Sequence, residues 1–275
     1  MFYTLITGAT GGLGRAFVYE TAKRGDNLVL TGTNLLKLEK IVSDIKADYP
    51  SINVAWKACD LSSENDRDSF FEFLKLNNIK INCLINNAGY ILEGEFLKCT
   101  REDVIKAIRV NCEGTIDVTR WIVENRDKNE QLNIVTVSSL AGYYPMPYMS
   151  IYAATKAMLK NFMVALNYEL RDENVFITTI CPSGIPTTTA MKEAIDAQGT
   201  AGHMTMSTPL QVAKIALNAS KKHKVIVVPK AINRFIKNIS KPLSEKMLAK
   251  TVGKRWKRSQ DKRNFYSEGK NEKEK

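Results

Sequence analysis

Short apolar runs alternate with amphipathic stretches along most of this chain. Runs rich in β-branched and other apolar residues predict strands at 2–6, 28–30, 54–57, 81–85, 132–137, 175–180 and 225–228. Between them, apolar positions recur at helical spacing over 13–23, 35–48, 64–76, 101–125, 151–169 and 210–219, with a shorter candidate at 188–197. Strands this short, separated by helices, build a parallel sheet covered on both faces. The expected class is therefore α/β, a Rossmann-like doubly wound parallel sheet, with 225–228 as its last central strand. In such sheets ligands bind beyond the carboxyl ends of the strands.

The pattern loosens after Gly184. Residues 187–209 read TTTAMKEAIDAQGTAGHMTMSTP, and the span 185–209 is expected to form a lid over the crevice or a plain surface insertion. Met191, Met204 and Met206 offer it an adaptable apolar wall. Beyond a sheet-forming domain at 1–230 lies a tail at 231–275. In it Ile232, Phe235, Ile236 and Ile239 share one helical face, and Leu243, Met247, Leu248, Val252 and Trp256 form a second apolar series. These helices can cover the cleft, pack between subunits or lie on an anionic membrane surface. The Lys-, Glu- and Asn-rich end is expected to be disordered.

Charge follows the same division. The formal net charge is +11, yet residues 221–275 hold 18 Lys/Arg against 5 Asp/Glu, and the preceding residues hold 22 against 24. The part before the tail is nearly neutral, and no aromatic-interleaved basic surface favours nucleic acid. Residue 1 leads almost directly into the first strand, so no leader segment is expected and the location inferred is cytoplasmic. The five cysteines (Cys59, Cys83, Cys99, Cys112, Cys181) occur singly without a CxxC pair and read as buried thiols, with no metal-ligand set.

The polar motifs fall at strand ends. TGATGGLG follows the first strand, with Gly8 at the turn, Gly12 where backbone and ligand approach, and Gly14 where helix and sheet meet. A glycine-rich turn opening a helix suits a diphosphate, and the absence of a GKT or GKS ending disfavours a nucleotide-hydrolysing P-loop. The second strand ends at Gly32 and Thr33, where no carboxylate repels an extra phosphate, so NADPH is preferred over NADH. Thr33 is no basic clamp, and Arg15 reads equally as a surface residue. Asp60 serves either the adenine amino group or the cap of the next helix. NNAG follows the fourth strand, Ser139 the fifth and CPSG the sixth. Tyr152 and Lys156 lie one helical turn apart, so the cation can favour the phenolate. With Ser139 to hold an oxygen, they suit proton transfer coupled to hydride transfer at a carbonyl. Asn111, in a helical stretch, is suited to binding a main-chain group or orienting a water. Ser138 is expected to secure the strand end. The run from Tyr143 to Tyr148 either walls the substrate or forms a rigid turn beneath Tyr152.

From 2 to 228 the chain resembles the classical short-chain dehydrogenase/reductase family. The resemblance implies a catalytic tetrad of Asn111, Ser139, Tyr152 and Lys156. It implies cofactor contacts at Gly8, Thr10, Gly12, Leu13, Gly14, Thr33, Asp60, Leu61, Asn87, Ala88, Gly89, Tyr152, Lys156, Pro182, Gly184, Ile185 and Thr187. The family has a Pro-Gly pair after the sixth strand, whereas this chain reads Pro182-Ser183-Gly184. A homodimer or homotetramer acting on a small carbonyl or alcohol, without a metal, is the family expectation. The preferred substrate is apolar. The competing expectation is a nucleotide-binding redox sensor or scaffold that uses its basic tail for contacts.

Overall fold

The structure is a computed structural model that describes the backbone of residues 1–271 and the side chains of 1–261. Seven parallel strands form one sheet in the order β3-β2-β1-β4-β5-β6-β7. They are β1 (Phe2–Ile6), β2 (Asn27–Gly32), β3 (Val54–Ala58), β4 (Lys80–Asn86), β5 (Leu132–Val137), β6 (Val175–Ile180) and β7 (Ile226–Val227). The strand order reverses between β1 and β4, and a crevice opens there at the carboxyl ends. The strand at 226–227 lies at the sheet edge, bonded to β6 alone. It is not central; Pro229, which has no amide proton, follows almost at once.

Neighbouring strand residues point to opposite faces, which gives the sheet two cores. Ile6, Leu30, Ile85 and Val135 pack with Phe17 of α1 (Gly12–Ala22), Ile41 of α2 (Leu35–Asp48) and Val212. Leu5, Val29, Leu84 and Ile134 pack on the other face with Phe70 of α3 (Glu64–Leu76), Val118 and Met163. Each such large side chain, fully buried, contributes about 1.5–3 kcal/mol relative to exposure.

The helical stretch at 101–125 is not uniform. It comprises α4 (Arg101–Ile108), a π-helical turn (Arg109–Gly114) and α5 (Thr115–Glu124). At Gly114 a Cβ would sit 2.5 Å from the carbonyl oxygen of Leu61, so a side chain would push this turn off the loop after β3. Next come α6 (Ser150–Glu169), α7 (Thr189–Ala197), α8 (Thr200–Thr205) and α9 (Pro209–Ser220). Helix α8 occupies sequence expected to be loop. Most of these helices begin on a side-chain cap: Asn34, Ser63, Thr100, Thr188 and Thr208 each accept from a backbone N–H of the first turn. Helix α1 starts at Gly11 with no side-chain cap.

The tail folds back as α10 (Ala231–Ser240) and α11 (Glu245–Asn271). Asn233 anchors it: fully buried, its amide donates to the carbonyls of Thr205 and Pro229 at 2.9 and 3.2 Å. Helix α11 lies against α7, and Gly253 passes close to Pro147. The backbone is helical to Asn271; residues 272–275, part of the end expected to be disordered, lie outside the described residues. Among the described residues no helix is long and apolar enough to cross a membrane.

Candidate active site

A cleft of about 490 Å³ runs along the carboxyl ends of the strands. The turn after β1 forms its floor. Gly8 adopts φ +63°, and a Cβ there would meet the Cα of Ala88 at 2.8 Å; a Cβ on Gly14 would lie 2.0 Å from the Gly8 carbonyl oxygen. The Asn87 amide holds this turn, donating to the carbonyls of Thr7 and Gly8 at 3.0 Å each. Its side chain is thus committed to the protein, while Asn87, Ala88 and Gly89 together line the cleft. Because Gly11 supplies no cap, the first amides of α1 open toward an anion.

The remaining walls carry Thr10, Gly12, Leu13, Thr33, Asp60, Leu61, Lys156, Pro182, Ile185 and Thr187. Gly12 and Thr187 approach so closely that a Cβ on the glycine would sit 2.9 Å from that of the threonine. Thr33 is exposed at the rim, and Arg15 is exposed outside the lining. Asp60 accepts from the Ser62 backbone at 2.9 Å and hydroxyl at 2.7 Å, with Lys106 Nζ at 3.8 Å. Burial would raise its pKa, but these partners hold the carboxyl below the usual range. Ser63, not Asp60, caps α3. Gly184 is placed beside these walls. It lines a neighbouring apolar cavity beside Ile195, and Ser183 before it lines both spaces.

At that boundary stand Ser139, just beyond β5, and Tyr152, on the first turn of α6; both line both cavities. Ser139 Oγ accepts from the Ala141 amide at 3.1 Å and donates to the Pro182 carbonyl at 3.4 Å. Burial raises the Tyr152 phenol pKa, and a side-chain hydrogen bond with Ser139 opposes the rise. Lys156, only 3% exposed, donates to the Val137 carbonyl at 2.9 Å, and its Nζ lies 5.8 Å from the centre of the Tyr152 ring. Burial pulls its pKa down to about 8. Ser138 donates to the Lys156 carbonyl at 2.8 Å and so ties β5 to α6.

Asn111 sits in the π turn with no exposed surface. Its Oδ1 accepts from the Tyr90 amide at 2.7 Å, while Nδ2 donates to the Tyr90 carbonyl at 2.9 Å and to Thr155 Oγ1 at 3.0 Å. Both amide protons are therefore used inside the protein. Asn111 lies behind the cleft wall, holding the strand-end loop to α6.

The second cavity, about 440 Å³, is mainly apolar and depends on the tail. Leu140, Tyr144, Met146 and Met149 form one side, Met191 and Ile195 another, and Ile236, Ile239, Leu248, Val252 and Trp256 close it. Of the three lid methionines only Met191 lines it; Met204 is 55% exposed. Tyr143 packs away from this space, with Lys160 Nζ 4.1 Å from its ring centre. Cys59, Cys112 and Cys181 are buried, whereas Cys83 and Cys99 are only half-buried.

Several residues at the site were not singled out from the sequence: Tyr90, Ile91, Lys106 and Val110 line the cleft. Behind it, the nearly buried Arg67 bridges Glu113 and Asp117 and donates to the Leu61 carbonyl. A signal for Arg67 existed, since it lies on the same helical stripe as Phe70, Phe71 and Leu74.

Known proteins resemble this chain in sequence and in fold. A very-long-chain 3-oxoacyl-CoA reductase from Coccidioides immitis is 28% identical over 78% of this chain and 60% of its own length. One from Neurospora crassa is 31% identical over 63% of this chain and 53% of its own. The chain thus spans a little over half the length of these relatives. Among solved structures, a bulky-bulky ketone specific alcohol dehydrogenase from Comamonas testosteroni superposes with TM-score 0.74 at 20% identity, covering 88% of this chain and 92% of that one. A short-chain dehydrogenase from Sphingobium yanoikuyae in complex with NADPH gives TM-score 0.74 at 23% identity, covering 87% and 93%. The short chain dehydrogenase family model matches residues 3–198, and the chain belongs to that family.

Proposed function

We propose that this protein is an NADPH-preferring reductase of an apolar carbonyl compound, with Tyr152 as the proton donor. The observation that carries the reading is that Ser139 and Tyr152 line both the glycine-floored cleft and the apolar cavity. The uncapped start of α1, the close-packed glycine turn and the carboxylate-free rim at Thr33 suit a dinucleotide bearing an additional phosphate. Held over Gly8, Gly12 and Gly14 at the start of α1, such a cofactor would supply the hydride for the carbonyl carbon. Ser139 Oγ holds the substrate oxygen, and Tyr152 transfers its phenolic proton to it as negative charge develops. The Lys156 ammonium, close to the Tyr152 ring, stabilises the phenolate left behind. Asn111 is a positioning residue that fixes Tyr90 and Thr155 around this group.

The apolar cavity and the relatives' names together favour a 3-oxoacyl thioester, reduced to its 3-hydroxy form. Oxidation of NADPH and NADH across 3-oxoacyl thioesters, steroids, sugars and small aldehydes tests this, with Tyr152→Phe as control. The expected result is NADPH-favouring turnover that falls by about 10²–10⁴-fold in the variant, with cofactor affinity retained. Cofactor binding without any Tyr152-dependent turnover would instead support the nucleotide-binding scaffold.

For assembly, exposed Ile105 and Ile108 on α4 and exposed Met158 on α6, two helices in contact, offer apolar surface to a second copy in a homodimer or homotetramer. The tail offers a different surface. Phe235, Ile239, Leu243 and Met247 are exposed, with Lys237, Lys241 and Lys246 interspersed, a combination suited to an anionic bilayer. Co-sedimentation with phosphatidylserine-containing vesicles, but not with pure phosphatidylcholine, should weaken in Phe235→Ser/Met247→Ser. Unchanged sedimentation with loss of self-association would assign that face to oligomerisation instead.

A further inference from the structure

Arg255 is a cation on an apolar wall. It projects from α11 beside Val252 and Trp256 and lines the same cavity as Ser139 and Tyr152, while remaining exposed at the outer side. Its Nη2 donates to Gln198 Oε1 of α7 at 2.8 Å. Among the described residues no carboxylate comes within ion-pairing distance of it. The nearby acid of α7, Asp196, is turned to His203 at 3.2 Å. The surrounding positions on α11 add Lys254, Lys257 and Arg258 and no acid before Asp261.

A guanidinium has five N–H donors in a planar fork, and Gln198 takes one of them. Burial against the apolar wall disfavours its charge, which lowers its pKa from the ordinary arginine value. A partly desolvated cation without a counter-charge is costly unless an anion joins it. The Gln198 contact fixes one edge of the fork and leaves the remaining donors available to a bidentate oxyanion.

We propose that Arg255 binds an anionic group of the substrate, so that the site selects amphiphilic carbonyl compounds carrying a carboxylate or phosphate over neutral ones of equal chain length. Gln198 positions the guanidinium. The proposal rests on the reductase reading for its kinetic form. Its chemistry, an oxyanion on a fixed guanidinium, is common to a phosphate-bearing thioester and to a chain ending in a carboxylate.

The test uses the full chain with saturating NADPH and three substrates with matched apolar chains. These are a 3-oxoacyl coenzyme A thioester, the uncharged N-acetylcysteamine thioester of the same acyl group, and a methyl ketone ending in a carboxylate. Arg255→Met should raise KM about tenfold or more for whichever anionic substrate engages the site, with kcat nearly constant and the uncharged thioester within about twofold. Arg255→Lys should recover part of the loss. An effect on the coenzyme A thioester alone identifies phosphate as the anion; one on the carboxylate ketone alone identifies carboxylate. Equal changes in KM for charged and uncharged substrates, or no change at all, would overturn the proposal while leaving Tyr152-dependent reduction intact. Binding of decanoate and decanol, followed by tryptophan fluorescence, keeps the test independent of turnover. Selective loss of decanoate binding in Arg255→Met, whose melting temperature is measured alongside, supports the site. If no substrate turns over, wild-type protein that binds both ligands equally overturns it, and the reductase reading fails separately.

Discussion

Lys156 donates its ammonium proton to the carbonyl oxygen of Val137 at 2.9 Å, on the first turns of α6 and at the end of β5. That single contact holds a nearly buried cation whose pKa has fallen from 10.5 to about 8, chiefly through burial. The charge is therefore present at neutral pH and disappears just above it. If the ammonium stabilises the Tyr152 phenolate, kcat/KM for reduction falls as pH rises through about 8. A pH profile flat to pH 9.5 would remove Lys156 from that role.

The same burial has a stability consequence. Below about pH 8 the amine is protonated in both the folded and unfolded chain, so the full cost of burying the charge is present. Between about 8 and 10.5 the unfolded chain binds the extra proton, and this group's contribution to stability rises with pH. Lys156→Met removes a burial cost on the order of 3 kcal/mol and loses a hydrogen bond of about 1 kcal/mol. The variant should be inactive yet melt higher than wild type at pH 7, with the difference shrinking by pH 10. Equal or lower melting at pH 7 would contradict it.

Two glycines separate packing from backbone strain. Gly14→Ala places a Cβ where the Gly8 carbonyl already stands, 2.0 Å away, and should cost about 3 kcal/mol and abolish NADPH binding. Gly25, at φ +82° with nothing within 4 Å of a Cβ, pays only backbone strain on conversion to Ala, about 1 kcal/mol. Denaturant titration of both variants checks the ranking.

Asn87 gives a third contrast. Asn87→Ala removes two donors to the carbonyls of Thr7 and Gly8 and should cost about 1–3 kcal/mol and weaken NADPH binding about tenfold. Asn87→Asp keeps the shape but presents acceptors to acceptors. It should be the worse of the two by calorimetric cofactor titration.

Trp256→Ala should enlarge the apolar cavity, raising KM for long-chain substrates several-fold while NADPH affinity stays unchanged. A parallel loss of cofactor affinity would show that the tail supports the cleft as well.

Most of the sheet was legible because each strand is a compact apolar run and each helix carries its own stripe; the bounds of α2, α3, β5 and β6 match the periodicity directly. The π turn was not, because one extra residue per turn barely disturbs the apolar spacing around Asn111. Helix α8 hid in glycine-containing sequence with weak helix propensity, and β7 read as central because an edge pair and a central pair share the same Val/Ile composition. At the site, the order of motifs after successive strands indicated one rim, and the structure gathers Ser139, Tyr152 and Lys156 there. Order along the chain cannot say which side of a loop faces which cavity, so it did not show that Gly184 lines the apolar space. Nor does it reveal contacts between distant elements, such as Arg255 with Gln198 or Arg67 with Asp117.

The residues lining the glycine-floored cleft all occur by Met191, whereas the apolar cavity draws its last wall from Trp256. On the ribosome these two spaces are finished at different times. A nascent chain acquires every residue that lines the glycine-floored cleft while α11 is still untranslated, and the apolar cavity closes only once that helix emerges and docks. Clipping within α11 would likewise reopen the apolar cavity while sparing every residue that lines the cleft, so a C-terminal nick would uncouple the two spaces.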